Sequence, residues 1–365
     1  MITRRLLLTS SAAALCACAL PASAEDWKAE WDATIAAAKT EGTVTLCASS
    51  NRSRREFIVS EWQKEYPEIQ ISYQVVSGTR FVPAAATERR AGKYLWDVFH
   101  NGPPSGLSAL HAGLLDPLLP ELVLPEVKDP AMWGGWDQAF YDPEHRYLLG
   151  LFRDITAPYY NADKIAPERV AKLKLKILLE PDLKGKIVWF DPRVQGPGAP
   201  YLVLIDHVLG PDALRKILTE QDVTFVANDN DAAQAMARGR ALVALANRPE
   251  EAFREYKSAG LKLDMRSIGN DPESSYIGTG GGAIGVFNQR PHPAAARLFV
   301  NWIATKRIGV GLAHAQRLDS ARSDVPPLDP NFAAIKGANY VSGQREEADV
   351  VVRRWQAEIK KLRPQ

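Results

Sequence analysis

Thr43-Val44-Thr45-Leu46-Cys47-Ala48-Ser49-Ser50-Asn51 is an apolar run that ends in three short polar residues, and a helical pattern from about Arg54 to Tyr66 follows it. Thr43–Cys47 reads as a buried first strand, entered from Glu41-Gly42, which stops a helix expected around Trp27–Ala38. A strand passing through a polar turn into a helix is the opening of a β/α unit, and the alternation continues outward. Ile69–Val76 alternates apolar and polar residues as a half-buried strand does. A helix is predicted over Ala84–Gly92, and Asp97-Val98-Phe99 makes a short strand ending in His100-Asn101-Gly102-Pro103. Strands alternating with helices predict a mixed, mainly parallel sheet with helices on both faces.

Proline-rich residues from Leu115 to Pro130 read as a loop over one lobe, and Leu148–Tyr160 as a long strand leaving that lobe. Ile187-Val188-Trp189-Phe190 opens a second β/α series, continued by a Tyr201–Leu209 helix, a Val223–Val226 strand, an Asp231–Arg238 helix and a buried Ala241–Ala246 strand. Ala283–Phe287 is placed to cross back, before an amphipathic helix at Pro293–Ala304. A charged helix over Gln344–Leu362 puts Val350, Val351, Trp355 and Ile359 on one face. The 365 residues exceed what one core usually supports. Two lobes are expected, residues 25–152 with 285–365, and residues 153–284.

Residues 1–24 read as a secretory signal: Arg4-Arg5, an apolar run to about Leu20, then the small-x-small site Ala22-Ser23-Ala24. The arginine pair fits both twin-arginine and ordinary export. Leu15-Cys16-Ala17-Cys18 loosely resembles a lipoprotein cleavage box, with Cys18 as the lipidated residue; the preferred reading is two small apolar residues of the signal. Cutting after Ala24 removes two of the three cysteines, so Cys47 alone remains and no internal disulfide can form. The formal net charge falls from +2 to 0, which leaves no electrostatic case for nucleic acid or an anionic membrane surface.

Several motifs fail on context. Gly280-Gly281-Gly282-Ala283-Ile284-Gly285 matches a dinucleotide loop but runs into a strand instead of opening a helix. Gly102-Pro103-Pro104-Ser105-Gly106 is not a nucleophile elbow. The six histidines, at 100, 111, 145, 207, 292 and 314, show no zinc-helix spacing. Cys47, inside a buried strand, reads as an inert core thiol, and Trp27 with Trp31 as packing at helical spacing.

The order of elements resembles bacterial extracellular solute-binding proteins of ABC transporters, in the ferric-ion, polyamine and phosphonate group. The resemblance rests on Gly42–Leu46, Leu95-Trp96-Asp97-Val98-Phe99, Ala157-Pro158-Tyr159-Tyr160-Asn161, Leu183-Lys184-Gly185-Lys186-Ile187 with Asp191-Pro192, and Ala295–Ile303. It implies an α/β, two-lobed periplasmic-binding-protein-like fold of type II with the ligand cleft between the lobes. It further implies a monomer in the periplasm, a small-molecule solute, an ABC permease in the inner membrane as partner, and no enzymatic activity.

In open α/β sheets ligands sit beyond the carboxyl ends of strands. The residues there are Ser49, Ser50, Asn51, Thr79, Arg80, His100, Asn101, Arg153, Asp191, Arg193, Asn247, Arg248, Tyr276 and Thr279. Arginine outnumbers acid among them, and guanidinium forks match carboxylate or phosphonate in two-point geometry. An anionic solute is expected, with no cofactor and no metal. The resemblance implies that iron-binding relatives use adjacent tyrosines after the strand matching Ala241–Ala246. Asn247-Arg248-Pro249 stand there, and Tyr159-Tyr160 fall in the first crossover. An iron chelate or another organic solute remains an alternative. A secreted hydrolase is another, though the sequence shows neither a nucleophile–base pair nor a metal cluster for it.

Overall fold

The computed structural model describes residues 26–363, except 77, 195, 281, 331–332, 336–337 and, within 247–262, all but 253, 256, 258 and 260; the side chains of 26 and 78–80 are likewise outside the description. The expected signal, Cys16 and Cys18 lie outside the described residues. The strands in chain order are β1 Thr43–Ala48, β2 Gln70–Val75, β3 Val98–Asn101, β4 Leu115–Asp116, β5 Leu149–Gly150, β6 Phe152–Thr156, β7 Tyr159–Asn161, β8 Ile187–Phe190, β9 Thr224–Val226, β10 Val243–Leu245, β11 Met265–Ser267, β12 Tyr276–Gly278, β13 Ala283–Phe287 and β14 Asp319–Ser320.

The helix Asp26–Glu41 ends where Gly42 takes φ +70°, a conformation that turns the chain into β1 at little cost to glycine. β1 lies parallel between β2 and β3, pairing Thr43 with Gln70 and Leu46 with Val98. The late strand β13 joins this sheet antiparallel to β3, with β4 and β5 on its far side. One face packs Ile58, Trp62, Phe299 and Trp302, and the other packs Phe81, Phe99 and Leu107, so helices cover both faces. Asp97, fully buried, fastens the layers. Its carboxylate accepts from Thr45 N (2.7 Å), His292 N (2.8 Å) and the His292 ring (2.9 Å).

A second sheet has the order β11-β7-β10-β8-β9, in which β10, β8 and β9 are parallel and β7 alone runs antiparallel to its neighbours β10 and β11. It is covered by Tyr201, Leu204, Ile217 and Leu218 on one face and by Ala232, Ala233 and Met236 on the other. A third sheet, β12-β6-β14, crosses between the first two.

Four sequence expectations change. The helix after β2 runs Gly78–Arg90, starting earlier than Ala84 and accommodating Pro83, so Thr79 and Arg80 belong to a helix and not to a loop. Leu148–Tyr160 is three strands, β5 to β7, interrupted at Leu151 and at Ala157-Pro158. The proline-rich stretch is no mere covering loop: Leu118, Leu122 and Val127 are buried in the first core. The helix Glu346–Leu362, expected with the first lobe, inserts Trp355 and Ile359 into the second core. Its buried face is Ala348, Val352, Trp355 and Ile359, and Val350 is 61% exposed.

Candidate functional site

A cleft of about 620 Å3 separates the first sheet from the second, with the crossing strands as its floor. Ser49, Ser50, Asn101, Gly102 and Ser105 line one side, Pro197, Ala199 and Pro200 the other, and Asp154, Thr156, Tyr276 and Gly278 the floor; Gln344, Arg345 and Asp349 close one end.

Four helices begin here. Arg52–Glu65 is capped by Asn51, whose Oδ1 accepts from Arg54 N at 2.9 Å. Pro103–His111 starts after Gly102, Pro200–Leu209 after Ala199, and Glu346–Leu362 after Arg345. The first three carry no acidic residue in their first turns, and the fourth carries Glu346, Glu347 and Asp349. Three helix dipoles thus present uncompensated positive ends to one space. Pro103 and Pro104 have no N–H, so that helix offers its dipole and the Ser105 hydroxyl in place of a row of amides.

Behind Ser49 lies Arg54, 1% exposed. Its guanidinium donates to Ser49 Oγ (3.0 Å) and to Gly280 O (2.9 Å), two residues of the cleft wall, and sits over the Phe152 ring at 5.3 Å. A positive charge is therefore fixed one hydrogen bond behind the cleft surface. The lining itself is mixed: Asp154 and Asp349 face one cation, Arg345. Asp349 is paired with Arg353 at 2.7 Å, and Arg345 donates to Asp137 O and Gln138 O (2.7 and 3.2 Å). Gln344 Oε1 accepts from Thr279 N at 2.8 Å, tying the segment before the last helix to the floor.

The backbone near this site is crowded. A Cβ on Gly198 would stand 1.7 Å from Phe190 O, and Gly280 combines φ +54° with Leu318 only 2.4 Å from such an atom. Both positions therefore require glycine.

Of the fourteen residues expected at the site, Ser49, Ser50, Asn101 and Tyr276 line the cleft. Asn51 acts through its cap and accepts from Gln316 Nε2 at 2.9 Å. Thr279 is fully buried and meets the cleft only through Gln344. Asn247, Arg248 and the side chains of Thr79 and Arg80 lie outside the described residues.

The others are not cleft groups. His100 is wholly buried within β3, with its ring proton affinity pushed down to about 3 by burial and by the nearby Arg54 charge. Arg193 folds back on Asp191 (Nη2–Oδ2 2.8 Å) and over Phe225, and that bond holds the Asp191 carboxyl below its usual range. Arg153 stands on the opposite face of β6 from Asp154 and Thr156, because side chains alternate along a strand.

The sequence reading passed over Arg54, which it took as a helix start, and Ser105, Asp154, Thr156, Gln344 and Arg345. The Gly102-Pro103 step was a usable sign, since proline favours the first helical position. Among the described residues no group of three or more His, Cys, Asp or Glu could hold a metal ion. Tyr160 is a buried β7 residue in the second core, and neither Tyr159 nor Tyr160 lines the cleft.

The two sheets, the crossing strands and the cleft between them define the type II periplasmic-binding-protein fold. Iron-bound HitA from Pseudomonas aeruginosa superimposes with a TM-score of 0.62 at 17% identity, over 86% of this chain and 98% of that one. The Trichodesmium IdiA (FutA) complex with iron and citrate gives 0.65 at 16%, over 88% and 98%. AfuA from Actinobacillus pleuropneumoniae with fructose-6-phosphate gives 0.59 at 16%, over 87% and 99%. No curated protein sequence matches. The model of the family "Bacterial extracellular solute-binding protein" matches residues 48–309, well over half of the chain. The protein belongs to that family, whose members are the solute-binding components of ABC transporters.

Proposed function

We propose that the protein captures a small anionic solute, of phosphonate or carboxylate type, in this cleft. Closure about the crossing strands then presents it to an inner-membrane ABC permease. The binding unit is one monomer, exported to the periplasm after loss of residues 1–24. Its first lobe is built on the first sheet and its second on the other, with the last helix packed on the second. It binds and releases; it is not a hydrolase. Closure is a population shift, in which solute favours the closed form by binding it more tightly.

The observation that carries this reading is the convergence of three acid-free helix N-termini on one cleft, with Arg54 behind Ser49. The grip is then made by serine hydroxyls, backbone dipoles and one buried guanidinium, and not by a ring of surface arginines. The phosphorylated sugar on AfuA supports the same chemistry on this fold. The citrate on the Trichodesmium protein favours a second reading, a ferric chelate whose anionic ligand meets the same groups.

A thermal-shift screen of the protein lacking residues 1–24 tests both, against phosphonates, sulfonates, carboxylates, sugar phosphates, ferric citrate, polyamines and thiamine. The solute at 100 times its Kd is expected to add about 2.7 kcal/mol of stability. Arg54→Met, by removing a charge-assisted bond behind the site, is expected to weaken it on the order of tenfold or more. If polyamines or thiamine alone raise the melting point, the anion reading is wrong.

A further inference from the structure

Arg153, expected in the cleft, lines a second cavity of about 520 Å3 on the far face of the crossing strands. Ile277 of β12 faces this cavity too, while its neighbours Tyr276 and Gly278 face the cleft. Its described lining contains two guanidiniums, Arg153 and Arg345, and no carboxylate. Arg345 is committed to the Asp137 and Gln138 carbonyls and to the Tyr141 ring, 5.8 Å away. Arg153 makes no side-chain hydrogen bond or ion pair with any described residue, although it is only part-exposed. It rests beside Gly134, where a Cβ would stand 3.9 Å from its Nη2. Trp133, Phe152, Ile277 and Ile335 supply apolar wall.

We infer that this second cavity is a binding site for a small organic carboxylate with an apolar body, held by Arg153. A half-buried guanidinium without a partner among the described residues has lost part of its water and gained no bond from them in return, and a carboxylate fork supplies the missing bonds. The volume suits a ligand-sized guest, and apolar walls with few convergent polar groups are what such sites use. The lining is more one-sided in charge than that of the main cleft, where two carboxylates offset Arg345. The guest would rest on β6 and β12, the strands that floor the cleft.

Isothermal titration with benzoate, phenylacetate and inorganic phosphate tests this on the protein lacking residues 1–24. Four forms are compared: wild type, Arg153→Gln, Arg153→Lys, and Ser50→Trp, which fills the cleft at an exposed position. Benzoate or phenylacetate binding that survives in Ser50→Trp and weakens tenfold or more in Arg153→Gln supports the site, with Arg153→Lys retaining more affinity than Arg153→Gln. Unchanged melting temperatures would show that loss of binding is not loss of fold. Three results overturn the inference: binding unchanged in Arg153→Gln, binding abolished by Ser50→Trp, or no binding of either carboxylate at millimolar concentration. Phosphate binding as tightly as benzoate would overturn the assigned apolar body.

Discussion

His100 shows how one buried ring sets a pH limit. It has no exposure, and neither ring nitrogen has a hydrogen-bond partner among the described residues. Burial first, and the Arg54 charge second, lower its pKa from 6.5 to about 3. The folded state therefore holds the ring neutral where the unfolded chain would protonate it. The unfolded state binds more protons between these values, so stability is full above pH 6.5 and falls as pH drops toward 3. That gap is worth at most roughly 5 kcal/mol. His100→Leu is expected to flatten the melting temperature between pH 6.5 and 4 relative to wild type, because the replacement has no proton to gain. Melting curves over this range decide it; equal slopes in both proteins would refute it. Arg54 is the counterpart: a sequence offers 45 lysines and arginines and no sign of which one is buried behind a site. Arg54 sits three residues after the cap residue Asn51, where the helix turns it inward to Ser49, and only the packed structure reveals that.

At the scale of elements, alternation and punctuation carried most of the reading. Gly42 marked the first helix end, the apolar run gave β1, and the polar turn Ser49-Ser50 was placed on the cleft because it follows a strand end. What periodicity could not decide was which core each element joins. The last helix has its apolar stripe at Ala348, Val352, Trp355 and Ile359, and a stripe names no partner. Its partner is the helix Pro200–Leu209: Trp355 Nε1 donates to Asp206 Oδ1 at 2.9 Å, and Arg354 binds both oxygens of that carboxylate at 2.8 Å. The same limit explains Arg153. Period 2 shows that neighbours in β6 face opposite ways, but not which side is the cleft. Trp355→Ala is expected to cost about 3–5 kcal/mol, by leaving a cavity in the second core and removing one of the hydrogen bonds to Asp206. Denaturant titration measures it, and a loss under 1 kcal/mol would detach this helix from that core.

The whole molecule joins its two sheets through short crossing strands and the segment before the last helix. Ile277 N bonds Val341 O, and Gln344 bonds Thr279, so that segment moves with the floor. Saturation with the solute is expected to lower the radius of gyration in solution scattering, as a hinge closes. An unchanged radius at saturation, with binding confirmed by calorimetry, would mean that the cleft fills without closing.

β13, placed between β3 and β4, bears on how this chain is made. The strand that completes the first sheet is separated from its partner β3 by the whole second sheet, and the second core waits longer still, for Trp355 and Ile359. During vectorial synthesis the first core lacks its last strand until β13 has emerged, and the second cannot be sealed until the final turns leave the ribosome. The nascent polypeptide therefore stays incomplete until nearly its full length has been made, and its second half consolidates last.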